Sequence, residues 1–377
     1  VVPPACRGEV ATAVVLPVGQ KRRRVIALEG GTIKDDGMVE VSNVAQVETQ
    51  SSDLSGTVSG KQITQLQLNG RNFTQLVTLV PGVSNQTGQD EGTVGINGNV
   101  SFSINGGRVE YNNWELDGGD NMDNGSNSTL NVYPSLEAIA EFKVLTSNYG
   151  AQYGRSGSGT VEVETKAGTN GFHGNAYEFL RNDALNSTKY FLDSVSPYKK
   201  NDFGYTIGGP IIKNRTFFFW SQEWRRDRVP ADFNQAVPSV EERAGDFTDQ
   251  CSSAGGSCPI GIGADLIAAG YNPSDPTVQA LLTMIPLPTT GTGLDSRYRT
   301  SLSLPTNWRE ELIRVDHNFT DKIRGTVRYI HDSWDTVTDV PLWTNAGSFP
   351  TIQTAFKGPG VSLVARLNAT FSPTLLN

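Results

Sequence analysis

From Gly171 onward the chain reads as a series of strands joined alternately by short and long links, and this pattern limits what it can fold into more than anything else in the sequence. In Asp202–Ile211 the residues Phe203, Tyr205, Ile207 and Ile211 alternate with Asp202, Gly204, Thr206 and Gly208. In Lys322–Asp332, Ile323, Val327 and Tyr329 share one parity and Arg324, Thr326 and Arg328 the other. In Val361–Phe371 the odd positions are Val, Leu, Ala, Leu, Ala and Phe. A period of two gives each strand one apolar and one polar face. A soluble sandwich and a transmembrane barrel both produce such strands, and link length separates them. The expected strands are Phe172–Leu180, Asp202–Ile211, Thr216–Arg225, Trp308–Phe319, Lys322–Asp332 and Val361–Phe371. Pro210–Arg215 and Thr320–Asp321 are short links, whereas Arg181–Asn201, Arg226–Asn307 and Ser333–Gly360 are long. Short turns at one end and long loops at the other are the barrel pattern. A link as long as Arg226–Asn307 is foreign to a compact soluble domain. Phe217, Phe218, Phe219, Trp220, Trp224, Trp308, Phe319, Tyr329 and Trp334 are expected in interfacial girdles.

Composition removes other classes. No window approaches the ~18 apolar residues of a spanning helix, but a barrel strand needs ~9–11 with alternate residues apolar. With 37% hydrophobic and 19% charged residues the chain is expected to fold, and 40 glycines favour a β architecture. A net charge of -8 argues against nucleic acid as a partner, since phosphates call for a basic face. Lys21–Arg24 is the sole basic run. The sequence has no GxSxG, HExxH or CxxC pattern, and His173, His317 and His331 fall in separate strands. Neither enzymatic activity, nor a metal, nor a cofactor is expected. Cys251 and Cys258 flank CSSAGGSC, whose small residues let the two thiols approach. A disulfide there implies an oxidising compartment, and a pair of free thiols is the alternative.

The first half is organised differently. Residues 1–37 carry no assignment, and Met38–Thr49 alternates as a strand. In Ile63–Val83 the apolar residues take helical spacing from Phe73, with Asn72 as the cap and Pro81-Gly82 as the stop. Val100–Leu116 holds two alternating segments around Asn105-Gly106-Gly107, the chemistry of a tight hairpin. Asp117–Tyr133 is polar and turn-rich. Asp117, Asp120 and Asp123 offer carboxylates to calcium, but Met122 stands at a ligand position and no Glu closes the loop. Ser135–Asn170 runs from an amphipathic segment (Leu136, Ile139, Phe142) through a strand and a glycine-rich turn to the alternating Val161, Val163 and Thr165. Gly154–Gly159 is no phosphate cradle, because a strand and not a helix follows it.

These motifs carry a resemblance. LNGRNF with the following L-x-PGV, LDG at Leu116–Gly118, the YG turn at Tyr149-Gly150, FHGNAYEFLRN and GGPIIKNRTFFF together resemble the plug and first barrel strands of TonB-dependent outer-membrane receptors, in particular their Oar-like branch. The acidic pair Glu162 and Glu164 departs from the Asn or apolar residues usual in that plug strand. The resemblance implies a mainly β chain. An α/β plug domain at 38–170 would be followed at 171–377 by about six strands of an incomplete transmembrane antiparallel barrel. The chain is accordingly read as a fragment cut at both ends. The resemblance also implies a Gram-negative outer-membrane location with lipid around the barrel. Its partners would be TonB with its inner-membrane energy complex and a small or medium-sized extracellular ligand, of siderophore, oligosaccharide or peptide class. By the same resemblance the loop after LDG rises to the plug apex, making Asn121, Asn124 and Tyr133 candidate ligand contacts. No TonB recognition box is evident upstream. The rival expectations are a surface or adhesion barrel without import and a soluble β-sandwich module.

Overall fold

In the computed structural model the described residues are 52–87, 99–188, 190, 195–247, 272, 274–338, 353–372 and 375–376. The strand expected at Met38–Thr49 and the Cys251/Cys258 pair lie outside them. The first unit holds β1 (Leu54–Ser59), β2 (Val83–Asn85), β3 (Phe102–Ile104), β4 (Asn113–Leu116), β5 (Gly119–Asp120), β6 (Ile139–Ser147) and β7 (Thr160–Thr165). Five of them form a mixed sheet in the order β1-β6-β7-β4-β5, with β4 and β7 parallel and the other neighbours antiparallel.

Helix α1 (Gly60–Gln65) follows β1, and its Gln62 side chain turns back to accept the Ser59 N–H at 3.0 Å. The segment expected as a helix from Phe73 is a 3₁₀ helix, Phe73–Leu79, with the Asn72 side chain accepting the Thr74 N–H at 3.1 Å. Few residues separate that cap from the Pro81-Gly82 stop, too few for a stable α-helix. Its apolar face meets the sheet: Phe73 lies 6.3 Å from Trp114 and 6.4 Å from Phe142, centroid to centroid, and all three rings are buried.

The hairpin expected around Asn105 is absent. Asn105 (φ 51) and Gly106 (φ 78) do form a left-handed turn, but the strands on either side go to different partners. β3 pairs with β2, and β4 runs parallel to β7 with Asn113 opposite Thr160. Between them Val109–Tyr111 is a 3₁₀ turn, held at its end by the Asn112 side chain donating to the Val109 carbonyl at 3.2 Å. The alternation was real, but pairing by proximity in sequence was not.

The second unit is a sheet of antiparallel neighbours in sequence order: β8 (His173–Asn182), β9 (Lys199–Ile212), β10 (Thr216–Ala236), β11 (Arg297–Thr320), β12 (Ile323–Thr338), β13 (Thr354–Ser372) and the short β14 (Leu375–Leu376). Its six long strands are those expected, but several are longer. β10 and β11 stay paired from Thr216 opposite His317 to Ala236 opposite Arg297. The two ends of the expected loop Arg226–Asn307, residues 226–236 and 297–307, are therefore ladder, which the weaker alternation of their Ser, Thr and Pro residues concealed. Helices α2 (Val240–Arg243) and α3 (Pro276–Met284) lie beyond the ladder, and Arg243 ties them by donating to the Leu282 and Ile285 carbonyls at 3.0 and 2.8 Å.

Burial along these strands inverts the soluble rule. Asp202, Arg314, Asp316, Arg328 and Asp332 are buried, while Ile211, Val327 and Leu363 are 60%, 50% and 67% exposed. Polar residues thus face the concave side and apolar ones the outside, as in a wall between lipid and a polar lumen. The aromatics divide the same way. Trp308 and Trp334, expected in a girdle, point inward with centroids 5.6 Å apart, and Phe219 is buried in the core shared with the first unit. Trp220 and Trp224 belong to the other parity, and Trp224 stacks on Phe203 at 5.5 Å.

Candidate functional site

The first unit sits against the concave face of the second through two layers of charge. The layer nearer the short turns centres on Asp117. Asp117 (φ 52) and Gly118 (φ 78) form the turn between β4 and β5, where Asp tolerates the left-handed region better than most residues. Its carboxylate accepts the Thr165 N–H at 2.9 Å and meets Arg314 Nη1 at 3.1 Å and Arg328 Nε at 2.9 Å. Arg328 also donates to the Leu116 carbonyl at 2.9 Å, and Arg314 to the Thr165 carbonyl at 2.7 Å. Glu164 extends the layer, with Arg366 at 2.8 Å and Arg314 at 3.4 Å. Burial pushes the Glu164 carboxyl up from its ordinary range against the pull of Arg366. Of the two acidic residues that depart from the common plug pattern, Glu164 thus finds matching arginines on β11 and β13, whereas Glu162 accepts the Tyr153 hydroxyl within the plug.

The layer farther from the short turns centres on Ser135. Its N–H donates to Glu310 at 2.6 Å and its hydroxyl to Glu223 at 2.6 Å, while Tyr177 donates to the same Glu223 oxygen at 2.6 Å. The Tyr133 N–H donates to Asp332 at 2.8 Å. Arg225 bonds Glu223 at 2.9 Å and lies 4.6 Å over the Trp308 ring. Arg71 joins the units directly: it meets Asp202 at 3.1 Å and Glu137 at 3.5 Å, and covers the Phe179 ring at 4.0 Å. Arg71 therefore pairs within the first unit, at Glu137, and across to the second, at Asp202. Backbone also packs on backbone: a Cβ on Gly360 of β13 would come within 2.4 Å of the Asn131 carbonyl oxygen.

The three candidate ligand contacts occupy different settings. Asn121 is buried; its side chain donates to the Val132 carbonyl at 2.9 Å and accepts the Val132 N–H at 3.1 Å. Tyr133 is also buried, and Asn124 is exposed. The aspartates weighed for calcium are engaged separately: Asp117 with arginines, Asp120 with Arg155, and Asp123 with the turn it organises. Burial alone would raise the Asp123 carboxyl, but N–H groups of Thr129, Ser128, Ser126 and Gly125 outweigh it and hold the group well below the usual carboxylate range. Among the described residues no group of three His, Cys, Asp or Glu could hold a metal ion. Behind the turn, burial and the neighbouring Glu162 push the Tyr153 phenol up to about 12. Sequence reading missed the wall arginines Arg314, Arg328 and Arg366, although all three stand on the polar parity of their strands.

A small mixed domain set against the polar inner face of an apolar-outside antiparallel wall defines a plugged transmembrane β-barrel. Residues 164–377 match the family model described as outer membrane beta barrel domain, and residues 41–161 match the TonB-dependent receptor plug domain. The chain belongs to the TonB-dependent receptors of the Gram-negative outer membrane, which are receptors and not enzymes. It is 28% identical over 158 residues to the TonB-dependent transporter Oar of Myxococcus xanthus, covering 40% of this chain and 14% of that protein. The outer membrane transporter YddB of Escherichia coli has a similar fold, with a TM-score of 0.52 at 11% identity, covering 85% of this chain and 37% of that one. The siderophore receptor PirA of Acinetobacter baumannii gives a TM-score of 0.41 at 13% identity over 86% of this chain and 46% of that one. The chain therefore spans less than half the length of each of these relatives.

Proposed function

We propose that the whole receptor carries out energy-coupled uptake of an extracellular ligand, with the chain described here supplying the plug and the first strands of the wall. The reading is carried by the buried, hydrogen-bonded seating of the plug on the wall at Asp117 and Ser135. A plug held this firmly blocks diffusion, so passage requires work from outside the barrel, and TonB with its inner-membrane complex is the source the family implies. Asn124, exposed on the loop between β5 and β6, is the direct ligand contact in this reading. Asn121 and Tyr133 hold that loop in shape. A disulfide between Cys251 and Cys258, in the sequence between β10 and β11, belongs to this reading because it fits an oxidising compartment. The ligand class is siderophore, oligosaccharide or peptide.

The test is accumulation of labelled ferric siderophores, oligosaccharides and peptides by cells expressing the complete receptor, with and without TonB. Uptake of one class that disappears without TonB is expected. Surface binding of a ligand with no TonB-dependent accumulation would favour the surface or adhesion reading instead.

A further inference from the structure

The upper charge layer carries more acid than base. Glu137, Asp202, Glu223, Glu310 and Asp332 share Arg71 and Arg225, and both guanidiniums are already engaged: Arg71 with Asp202 and Glu137, Arg225 with Glu223 and, at 3.6 Å, Asp202. Glu310 and Asp332 stand directly opposite each other on β11 and β12, and both are 0% exposed. One oxygen of each accepts a plug amide, from Ser135 and Tyr133 respectively. The other oxygens, Glu310 Oε1 and Asp332 Oδ1, are buried without a well-formed hydrogen bond, although the Trp308 indole leans toward Asp332. Their further neighbours are Glu223 and Arg225 on β10, Tyr177 on β8, and Gly360 opposite Asp332 on β13; Arg225 Nη1 makes no hydrogen bond. Two facing carboxylates sealed from water do not both stay ionised without a cation between them, and no three-ligand metal arrangement exists among the described residues.

We propose that Glu310 and Asp332 share one proton and form an acid pair that clamps the plug segment Tyr133–Ser135, a latch that tightens as pH falls and loosens as it rises. The sign follows from linkage. The seated plug buries the pair and binds the proton, whereas a displaced plug leaves both carboxylates wet and ionised, so added protons favour seating. For one proton the opening equilibrium changes by at most about tenfold per pH unit. The proposal uses the seated plug described above but neither TonB nor import.

The experiment is hydrogen exchange at the Tyr133 and Ser135 amides in the complete detergent-solubilised receptor across neutral to alkaline pH, corrected for intrinsic exchange, in the wild type and in Glu310→Gln and Asp332→Asn. Wild-type opening should rise with pH toward that limit. Each variant, with its shared proton replaced by a permanent amide hydrogen, should stay protected and lose the pH dependence. The infrared carboxylic-acid carbonyl intensity of the wild type at neutral pH should also fall in each variant, a readout that needs no variant to be active. A wild type whose corrected protection does not change with pH, or an acid carbonyl band that neither variant diminishes, overturns the proposal. So does protection that follows added calcium or a chelator instead of pH, since a cation would then be holding the pair. Failure of uptake in the transport assay would leave all these readings unchanged.

Discussion

At the level of single residues, Asp117 ties the plug to two strands of the wall. It satisfies Arg314, Arg328 and Thr165 at once in a place closed to water. Replacing it by Ala leaves the buried Arg328 without its carboxylate, which typically costs about 3–5 kcal/mol, while Arg314 keeps Asp316 at 3.0 Å and Glu164 at 3.4 Å. Asp117→Ala in the complete receptor should lower the denaturant midpoint of the plug by a matching amount, and an unchanged midpoint would remove Asp117 from this role. Asp123 makes a different prediction. Its carboxyl is depressed in the folded loop, so its contribution is present above the ordinary carboxylate pKa and is lost as pH falls toward the folded value. Proteolysis of the loop Asp123–Thr129 should therefore increase in acid in the wild type, whereas Asp123→Ala should be cleaved readily at every pH. The sequence displayed Asp117 as part of a turn signal but gave no view of its partners, because those lie about two hundred residues downstream. Only the parity of Arg314 and Arg328 hinted at them.

At the scale of elements, the wall strands were legible because lipid and lumen impose opposite chemistry on alternate residues. The same parity that predicts an apolar face at Ile207, Val327 and Leu363 places Thr206, Arg328 and Arg366 on the inner side. Leu363→Arg should thus hinder insertion, by about 2–4 kcal/mol if Leu363 lies near the bilayer midplane. Measured as the urea dependence of folding into vesicles, that loss should exceed the effect of the same change at the exposed Asn124. The plug was less legible. Its strands are short, and β4 pairs in parallel with β7 across β5, the loop after it and β6, while β3 pairs back with β2. A turn dipeptide specifies the backbone at Asn105-Gly106 but not which strands meet there. Length misled in the opposite direction at β10 and β11, where paired strand continues through residues with little hydrophobic contrast. Inward Trp308 and Trp334 were read as girdle residues because aromatic character does not reveal parity.

In the molecule as a whole, a plug domain is seated by two polar layers on a wall whose outside is apolar. A polypeptide limited to these 377 residues has an open seven-stranded sheet with an apolar outer face. Such a chain should require detergent and aggregate without it; recovery as a soluble monomer would contradict the wall assignment. For the complete receptor the proposed function requires that the seated plug move away from the wall when TonB acts. The direct measurement is labelling of Ser135→Cys by a membrane-impermeant maleimide, in cells expressing the complete receptor, with and without TonB. Ser135 is fully enclosed between plug and wall, so labelling should be slow without TonB and markedly faster with it. Equal labelling in the two strains would mean that the plug does not move under TonB, and the transport reading would give way to that of a static surface barrel.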